Sequence, residues 1–396
     1  MDYYGGEKSG PKKELNKGKV IKVSIAVFLI IIFVTLICLY EKNNKIRNFF
    51  DVYVFRKIVN EEKLANIEID TSTSLSAFSY DRYIAILKQN QLKLYNKYGN
   101  EEHSIDIEVS IPLFDSNGNY LCVAEKGGNK IYLISNKNIV WQKEIEGEIS
   151  GVSVNKNGYV SVTISGTSYK TVIQTFDYKG NELFKTYLSS TSVINTEISN
   201  DNKYLAVAEA NFSGILVQSN IKIISIDDAK LGSDNSIKYT HLAKPNDLII
   251  NIKYNNKNDL VCMYDEHIDL LKGGENKELV NFKDENILFA DINSQSRILE
   301  VNKKTQEDIN SSMELRLINN NNGEISSTYD LMGTPKEVYV NENIIAINLG
   351  TNVLFINENG WLIKEYESKK DEIQNIIMCG EVAGVVSKNK ISIISL

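Results

Sequence analysis

A six-residue apolar strand returns along this chain at intervals close to 40 residues. It reads Tyr120-Leu121-Cys122-Val123-Ala124-Glu125 and again Tyr204-Leu205-Ala206-Val207-Ala208-Glu209, with five of the six positions identical. Tyr159-Val160-Ser161-Val162-Thr163 stands between them and Tyr83-Ile84-Ala85-Ile86-Leu87 before them. The leading tyrosines 83, 120, 159 and 204 are 37, 39 and 45 residues apart. A strand-bearing unit of about 40 residues cannot bury its own apolar face and must stack on its neighbours, which selects a repeat array of propeller type.

The unit is clearest at 148–188. A strand over Ile149–Val154 leads through Asn155-Lys156-Asn157-Gly158 into Tyr159–Ser165, where Val160, Val162 and Ile164 alternate on one face. Thr171–Tyr178 follows, then Lys179-Gly180-Asn181 and Glu182–Leu188. Four strands joined by short turns make one blade. Asn and Gly recur at the turns because both tolerate positive φ. Units fall near 71–109, 110–147, 148–188, 189–244, 245–283, 284–333, 334–368 and 369–396, the fourth and sixth with extra loop residues at 227–236 and 303–312. The expected fold is an all-β propeller of eight blades, with seven as the alternative, because Asn-rich turns blur the fifth and sixth units. The final unit has three strands, and the spare strand Ile67-Glu68-Ile69-Asp70 is expected to complete it and remove an open edge.

Ahead of the repeats lie a polar basic tail over 1–19, an apolar run over 20–40 and a charged, aromatic connector over 41–65, with the propeller over 66–396. Thirteen of the eighteen residues from Val23 to Tyr40 are Leu, Ile, Val or Phe. As a helix, Val20–Tyr40 rises about 31 Å, the thickness of a bilayer's hydrocarbon core. Leu36 and Ile37 are too bulky for signal or lipoprotein cleavage at Cys38. The run therefore reads as an uncleaved single-pass signal-anchor. Lys8, Lys12, Lys13, Lys17, Lys19 and Lys22 precede or enter it, against Lys42, Lys45 and Arg47 after it, which places the N-terminus in the cytoplasm and the propeller outside. The connector, with Phe49, Phe50, Tyr53, Val54, Phe55 and Ile58, suits either a short amphipathic stalk or a segment packed on the first strands.

A net charge of −7 without a basic stripe in the repeats argues against nucleic acid as a partner. Cys122, Cys262 and Cys379 sit singly in apolar strands and read as small buried hydrophobes, and His103, His241 and His267 are scattered. HExxH, GxSxG, the P-loop and the sialidase Asp-box are absent. Gly127-Gly128 and Gly273-Gly274 lie between strands and read as hairpin turns. Asp227-Asp228 and Asp284-Glu285 read as solvated loop pairs without calcium-loop spacing. Glu125 and Glu209 read as one repeated structural position, and Trp141 and Trp361 as packing between blades. No catalytic, cofactor-binding or metal-binding residue is assigned, and no cofactor is expected.

Asn138-Ile139-Val140-Trp141-Gln142-Lys143-Glu144 resembles the outer strand of quinoprotein-like (PQQ-like) propeller repeats, and Asn359-Gly360-Trp361-Leu362 is a weaker version with the Trp displaced. The pattern implies the superfamily shape shared with WD40-like domains. The whole chain resembles an uncharacterised clostridial family of membrane-anchored propellers, which implies a fold and a placement but no activity. The expected role is a non-enzymatic scaffold on the cell membrane, binding another envelope protein or a cell-wall polymer. The alternative is a quinoprotein-like or glycan-active enzyme with its site at the central mouth, for which convergent acidic or His side chains would be required.

Overall fold

The computed structural model describes residues 17–42, 46, 50, 54–55, 65–69 and 76–396, the last stretch apart from 89, 284–285, 305–312, 342, 369–370 and 381. The chain divides into two compact units, Met1–Val59 and Asn60–Leu396.

In the first unit Lys17–Lys42 forms one helix, α1, so the expected span at 20–40 is helical. Its side chains are described continuously only from Ile25 to Tyr40, and from Ile25 to Leu39 they are exposed. A span needs about 20 apolar residues. Among the described residues, no helix is long and apolar enough to cross a membrane. Tyr40, Phe50 and Phe55 form a ring cluster with centroids 6.0–6.5 Å apart. The rest of the connector lies outside the described residues, apart from Glu41 and Lys42 at the end of α1, Ile46, Val54 and the Ala65 end.

In the second unit the alternating apolar strands pair into eight four-stranded antiparallel sheets, each one blade. The seven-blade alternative is excluded. The eight first strands are β2 (Ser76–Tyr80), β6 (Pro112–Asn117), β10 (Glu148–Val154), β14 (Ser192–Ile198), β18 (Ile249–Tyr254), β22 (Ile287–Asp291), β26 (Glu337–Asn341) and β30 (Asn375–Cys379). They surround the centre. The strand anticipated at residues 120–124 is β7 (Tyr120–Glu125), and its counterparts in the other blades are likewise the second strands, almost wholly buried. Their side chains make the apolar layers between blades: Cys122, Ala124, Leu133 and Trp141 of blade 2, for example, pack with Ile149, Val160, Val162 and Phe176 of blade 3.

The ring closes as the spare strand required. β1 (Ala65–Glu68) pairs antiparallel with β32 (Lys390–Ser395), Ile67 opposite Ile391. Ile67 is 6% exposed, packed in a cluster that includes Ile84 and Ile86 of blade 1 and Ile377, Ile391 and Ile393 of blade 8.

Strand polarity puts the turns after the first and third strands on one face of the disc and the other connections on the opposite face. The turn face shows why asparagine is so frequent. Asn155 Oδ1 accepts the backbone N–H groups of Asn157 and Tyr159 at 3.0 and 3.1 Å, and Asn255, Asp177, Asn357 and Asn96 repeat the device. Asparagine amides also bridge blades: Asn155 Nδ2 donates to the Ser199 carbonyl at 3.0 Å, Asn157 Nδ2 to that of Asn200 at 2.9 Å, and Asn200 Nδ2 to that of Asn255 at 3.1 Å. The turns between third and fourth strands dock on the preceding blade. Gly180, at φ 83°, lies against the Trp141 indole so closely that a Cβ there would sit 2.8 Å from the ring.

One expectation needs correction. Asp227 and Asp228 lie on a short helix, α2 (Ile226–Lys230), capped by Ser225, because a Ser before Ile-Asp-Asp supplies the acceptor and first-turn carboxylates that a helix start favours. His241 and His267 lie on strands of neighbouring blades; burial, with a smaller contribution from His267, lowers the pKa of His241, whereas the hydrogen bond to Asp269 raises that of His267. Asp284 and Glu285 and residues 305–312 fall outside the described residues. The strand cysteines are free and buried, as expected.

Candidate functional site

The residue two places before the end of β6, Asp115, pairs with Cys122 of the second strand. The same register position in successive blades holds Ser153 opposite Ser161, Glu197 opposite Ala206, Lys253 opposite Val261 and Asp291 opposite Leu299. In the remaining blades it holds Tyr339 opposite Ala346, Met378 opposite Ala383 and Phe78 opposite Ala85. One residue per blade thus forms a ring around the central channel. Blades 2 to 6 give a charged and polar arc, and blades 7, 8 and 1 an apolar one. Together they line a cavity of about 820 Å³ and a narrower recess of about 180 Å³.

The arc is a connected network. Lys253 Nζ lies 2.9 Å from Glu197 Oε1. Glu197 Oε2 accepts from Ser153 Oγ at 3.5 Å, and Asp115 Oδ2 accepts the Val154 N–H at 2.8 Å. Asp291 accepts the backbone N–H of Asn293 at 2.6 Å and its side-chain amide at 2.8 Å. A second tier of amides runs beside it, Asn195 Nδ2 donating to Asn251 Oδ1 at 2.5 Å. On the apolar side Phe78 stacks on Phe114, centroids 4.1 Å apart, and Phe114 stays 45% exposed to the cavity.

Burial sets the electrostatics. It raises the pKa of Asp115, Glu197 and Asp291, against the opposing pull of Lys253 and of their N–H donors. Burial works against charge on Lys253 too, but Glu197, Asp115 and Asp291 overcome it and raise its pKa, so the ammonium is firmly protonated. Lys253 is therefore a fixed cation and not an activated nucleophile. Among the described residues, no group of three or more His, Cys, Asp or Glu could hold a metal ion.

These ring residues share no side-chain type from blade to blade, and none was singled out from the sequence. The available signal was position: Asp115, Ser153, Glu197 and Lys253 each stand just before the turn that leads into the recurring strand. Elsewhere the residues that had been singled out take structural places. Glu125 accepts the N–H groups of Ser110 and Ile111 at the entry to its blade. Glu209, 1% exposed, accepts from Thr191 Oγ1 at 2.8 Å and pairs with Lys222 at 2.7 Å. Trp141 packs between blades against Phe176, centroids 5.5 Å apart, and Trp361 is half-buried after its turn. Gly127, Gly273 and Gly274 have positive φ in hairpin turns. A further cleft of about 770 Å³ lies between the outer parts of blades 1 and 2, where Lys130 pairs with Glu108.

The chain matches the model of a family of unknown function, DUF5711, over residues 55–396. It belongs to that family. No curated protein matches it. Among solved structures it is similar to Sqt1 of Saccharomyces cerevisiae, with TM-score 0.56 at 9% identity over 85% of this chain and 100% of that one. Chaetomium thermophilum Sqt1, solved bound to the N-terminus of the ribosomal protein L10, gives 0.55 at 8% identity over 85% and 100%. The dihydro-heme d1 dehydrogenase NirN, in complex with DHE, gives 0.52 at 8% identity over 89% and 82%. At these identities the likeness extends to the propeller fold, which hosts both binding proteins and enzymes.

Proposed function

We propose that this member of the DUF5711 family is a membrane-anchored, extracytoplasmic propeller that binds a partner protein or a cell-envelope polymer at its central channel and carries out no catalysis of its own. The observation that carries the reading is the ring, in which every blade contributes one side chain to the central cavity or its recess and the ring's one cation, Lys253, is held by Glu197. Such a wall recognises shape and charge. Its Lys253 is protonated, and its carboxylates are tied to N–H donors, an arrangement suited to a fixed surface. The Sqt1 structure with the N-terminus of ribosomal protein L10 supports the idea that a disc of this fold can hold a protein segment. Anchoring is supported by the exposed apolar side chains from Ile25 to Leu39 and by the lysines that precede them.

The convergence of Asp115, Glu197 and Asp291 on the channel is the one observation that favours the enzyme reading, since a glycan-active or quinoprotein-like site would need acidic groups there. Crosslinking followed by capture from membranes separates the two. Capture of one partner by the natural protein, lost on Phe114→Ala, supports the scaffold. Turnover of a glycan or a bound quinone spectrum in the purified protein would replace it with the enzyme. Release of the protein from membranes by carbonate would overturn the anchor, and full protection from protease in intact spheroplasts would reverse the topology.

A further inference from the structure

We infer that the channel takes a ligand carrying an organic cation, a primary ammonium or a guanidinium, on an apolar body. The inference rests on the channel being the binding site and adds the chemistry of what enters it. The ring holds three carboxylates and one ammonium, and Lys156, on the turn that follows Ser153, adds a second ammonium to the cavity lining. Lys253 is committed to Glu197 at 2.9 Å. Asp115 is oriented by the neutral Val154 N–H, and Asp291 by the Asn293 N–H and amide. These two carboxylates are aimed and hydrogen-bonded and feel the attraction of Lys253, but among the described residues neither has an ion pair of its own, in a narrow space where the effective dielectric is well below that of water. An anion passing Lys156 would still meet three carboxylates against the one ammonium of the ring, already paired with Glu197. A neutral glycan would strip water from Asp115 and Asp291 and return no compensating charge.

The apolar arc is the independent half of the argument. Phe114 keeps 45% of its surface in water inside the cavity while stacked on the buried Phe78, and Tyr339 and Met378 continue that wall. Apolar surface left wet within a cavity is free to be covered by an alkyl or aromatic body, and an aromatic face beside it favours a cation. A lysine or arginine side chain has both parts, a charged head and an apolar stem. The same chemistry can come from a free amine or from a basic residue on a partner's peptide.

Calorimetry on the full chain in detergent micelles tests this with two matched pairs. The first is 2-phenylethylammonium against the neutral 2-phenylethanol. The second is the peptide acetyl-Phe-Lys-Leu-Lys-amide against its form acetylated on both lysine amines. The charged member of at least one pair is expected to bind at least about tenfold more tightly, a factor that a single well-placed ion pair supplies. Binding by the peptide alone identifies a partner chain as the source, and binding by the amine identifies a small molecule. The preference should shrink to less than about threefold in Asp291→Asn, which keeps an acceptor for Asn293 and removes the charge. If that variant fails to fold, Asp115→Asn is read in its place. Equal affinity within both pairs, an undiminished preference in the variant, or tighter binding of phenylacetate would overturn the inference. Those results with partner capture from membranes intact would leave the scaffold reading standing.

Discussion

Replacing Ile67 by Ala probes the closure of the ring with one side chain. Ile67 is 6% exposed on a four-residue strand, and its neighbours come from both the first and the last blade. Truncating a buried Ile to Ala removes its transfer free energy and leaves a cavity, together about 3 kcal/mol. Unfolding entropy of about 2.1 cal/mol/K per residue over roughly 330 residues amounts to about 0.7 kcal/mol/K, so Tm should fall by about 4 °C. Ile325 is the comparison. It lies on an outer strand of blade 6 and is 55% exposed, and Ile325→Ala should cost under about 0.5 kcal/mol, less than 1 °C. Deleting residues 66–70 goes further, because it strips the backbone partner from β32 and leaves an open edge. Differential scanning calorimetry and light scattering on full-length proteins read both effects. If Ile67→Ala melts within 1 °C of the natural protein, or the deletion neither lowers Tm nor promotes aggregation, the N-terminal strand does not hold the ring shut.

Glu197→Ala strands the enclosed Lys253 ammonium and should cost about 3–5 kcal/mol in chemical denaturation, with most of the loss recovered by adding Lys253→Met. Asp291 has a raised pKa in the fold, so the folded state holds its proton more readily than the unfolded chain does; its contribution is fully present below the ordinary carboxylate pKa and lost as pH rises through the raised value. Asp291→Asn should therefore flatten the fall in stability on going from acidic to neutral pH, and melting curves across that window that are parallel to those of the natural protein would contradict it. Asp269 behaves oppositely. Burial opposes its charge, but hydrogen bonds from His267 and Asn276 lower its pKa, so Asp269→Asn should remove stability at neutral pH and little at low pH, where the natural protein has already lost it. Gly180→Ala drives a Cβ into the Trp141 ring at a positive φ and should cost about 1–2 kcal/mol by urea titration.

The repeats were readable because burial imposes a common pattern on every blade. The second strand must be apolar on both faces, so Leu121, Val160, Leu205, Leu260, Ile298 and Ile345 announce themselves, and the blade borders drawn from them fall close to those observed. The missing fourth strand of the last unit and the spare strand before the first pointed to closure in the same way. The channel ring was not readable by residue type, because Asp, Ser, Glu, Lys, Asp, Tyr, Met and Phe have only register in common. Register is also disguised: bulges shift β10, β14, β18 and β22 by one residue, and the turns after them differ in length. The bridging asparagines were read as turn formers, which they are; their second role depends on which turn lies beside which across blades. The short helix at Ile226–Lys230 was hidden inside what looked like an ordinary loop insertion.

Because β1 and β32 are the first and last strands of the propeller, the first strand of the disc to be synthesised is the last to find its partner. At about 5–20 residues per second, the roughly 320 residues that separate them take between about 16 and 65 seconds to appear. Throughout that interval Ile67 has no native cover from blade 8, while blades 2 to 7 already hold all four of their strands once made. The penultimate state of biogenesis is thus an open arc with two complementary ends, each able to accept the corresponding end of a second molecule. Completion within one chain competes with exchange between chains, and local concentration during synthesis decides between a closed monomer and a swapped pair.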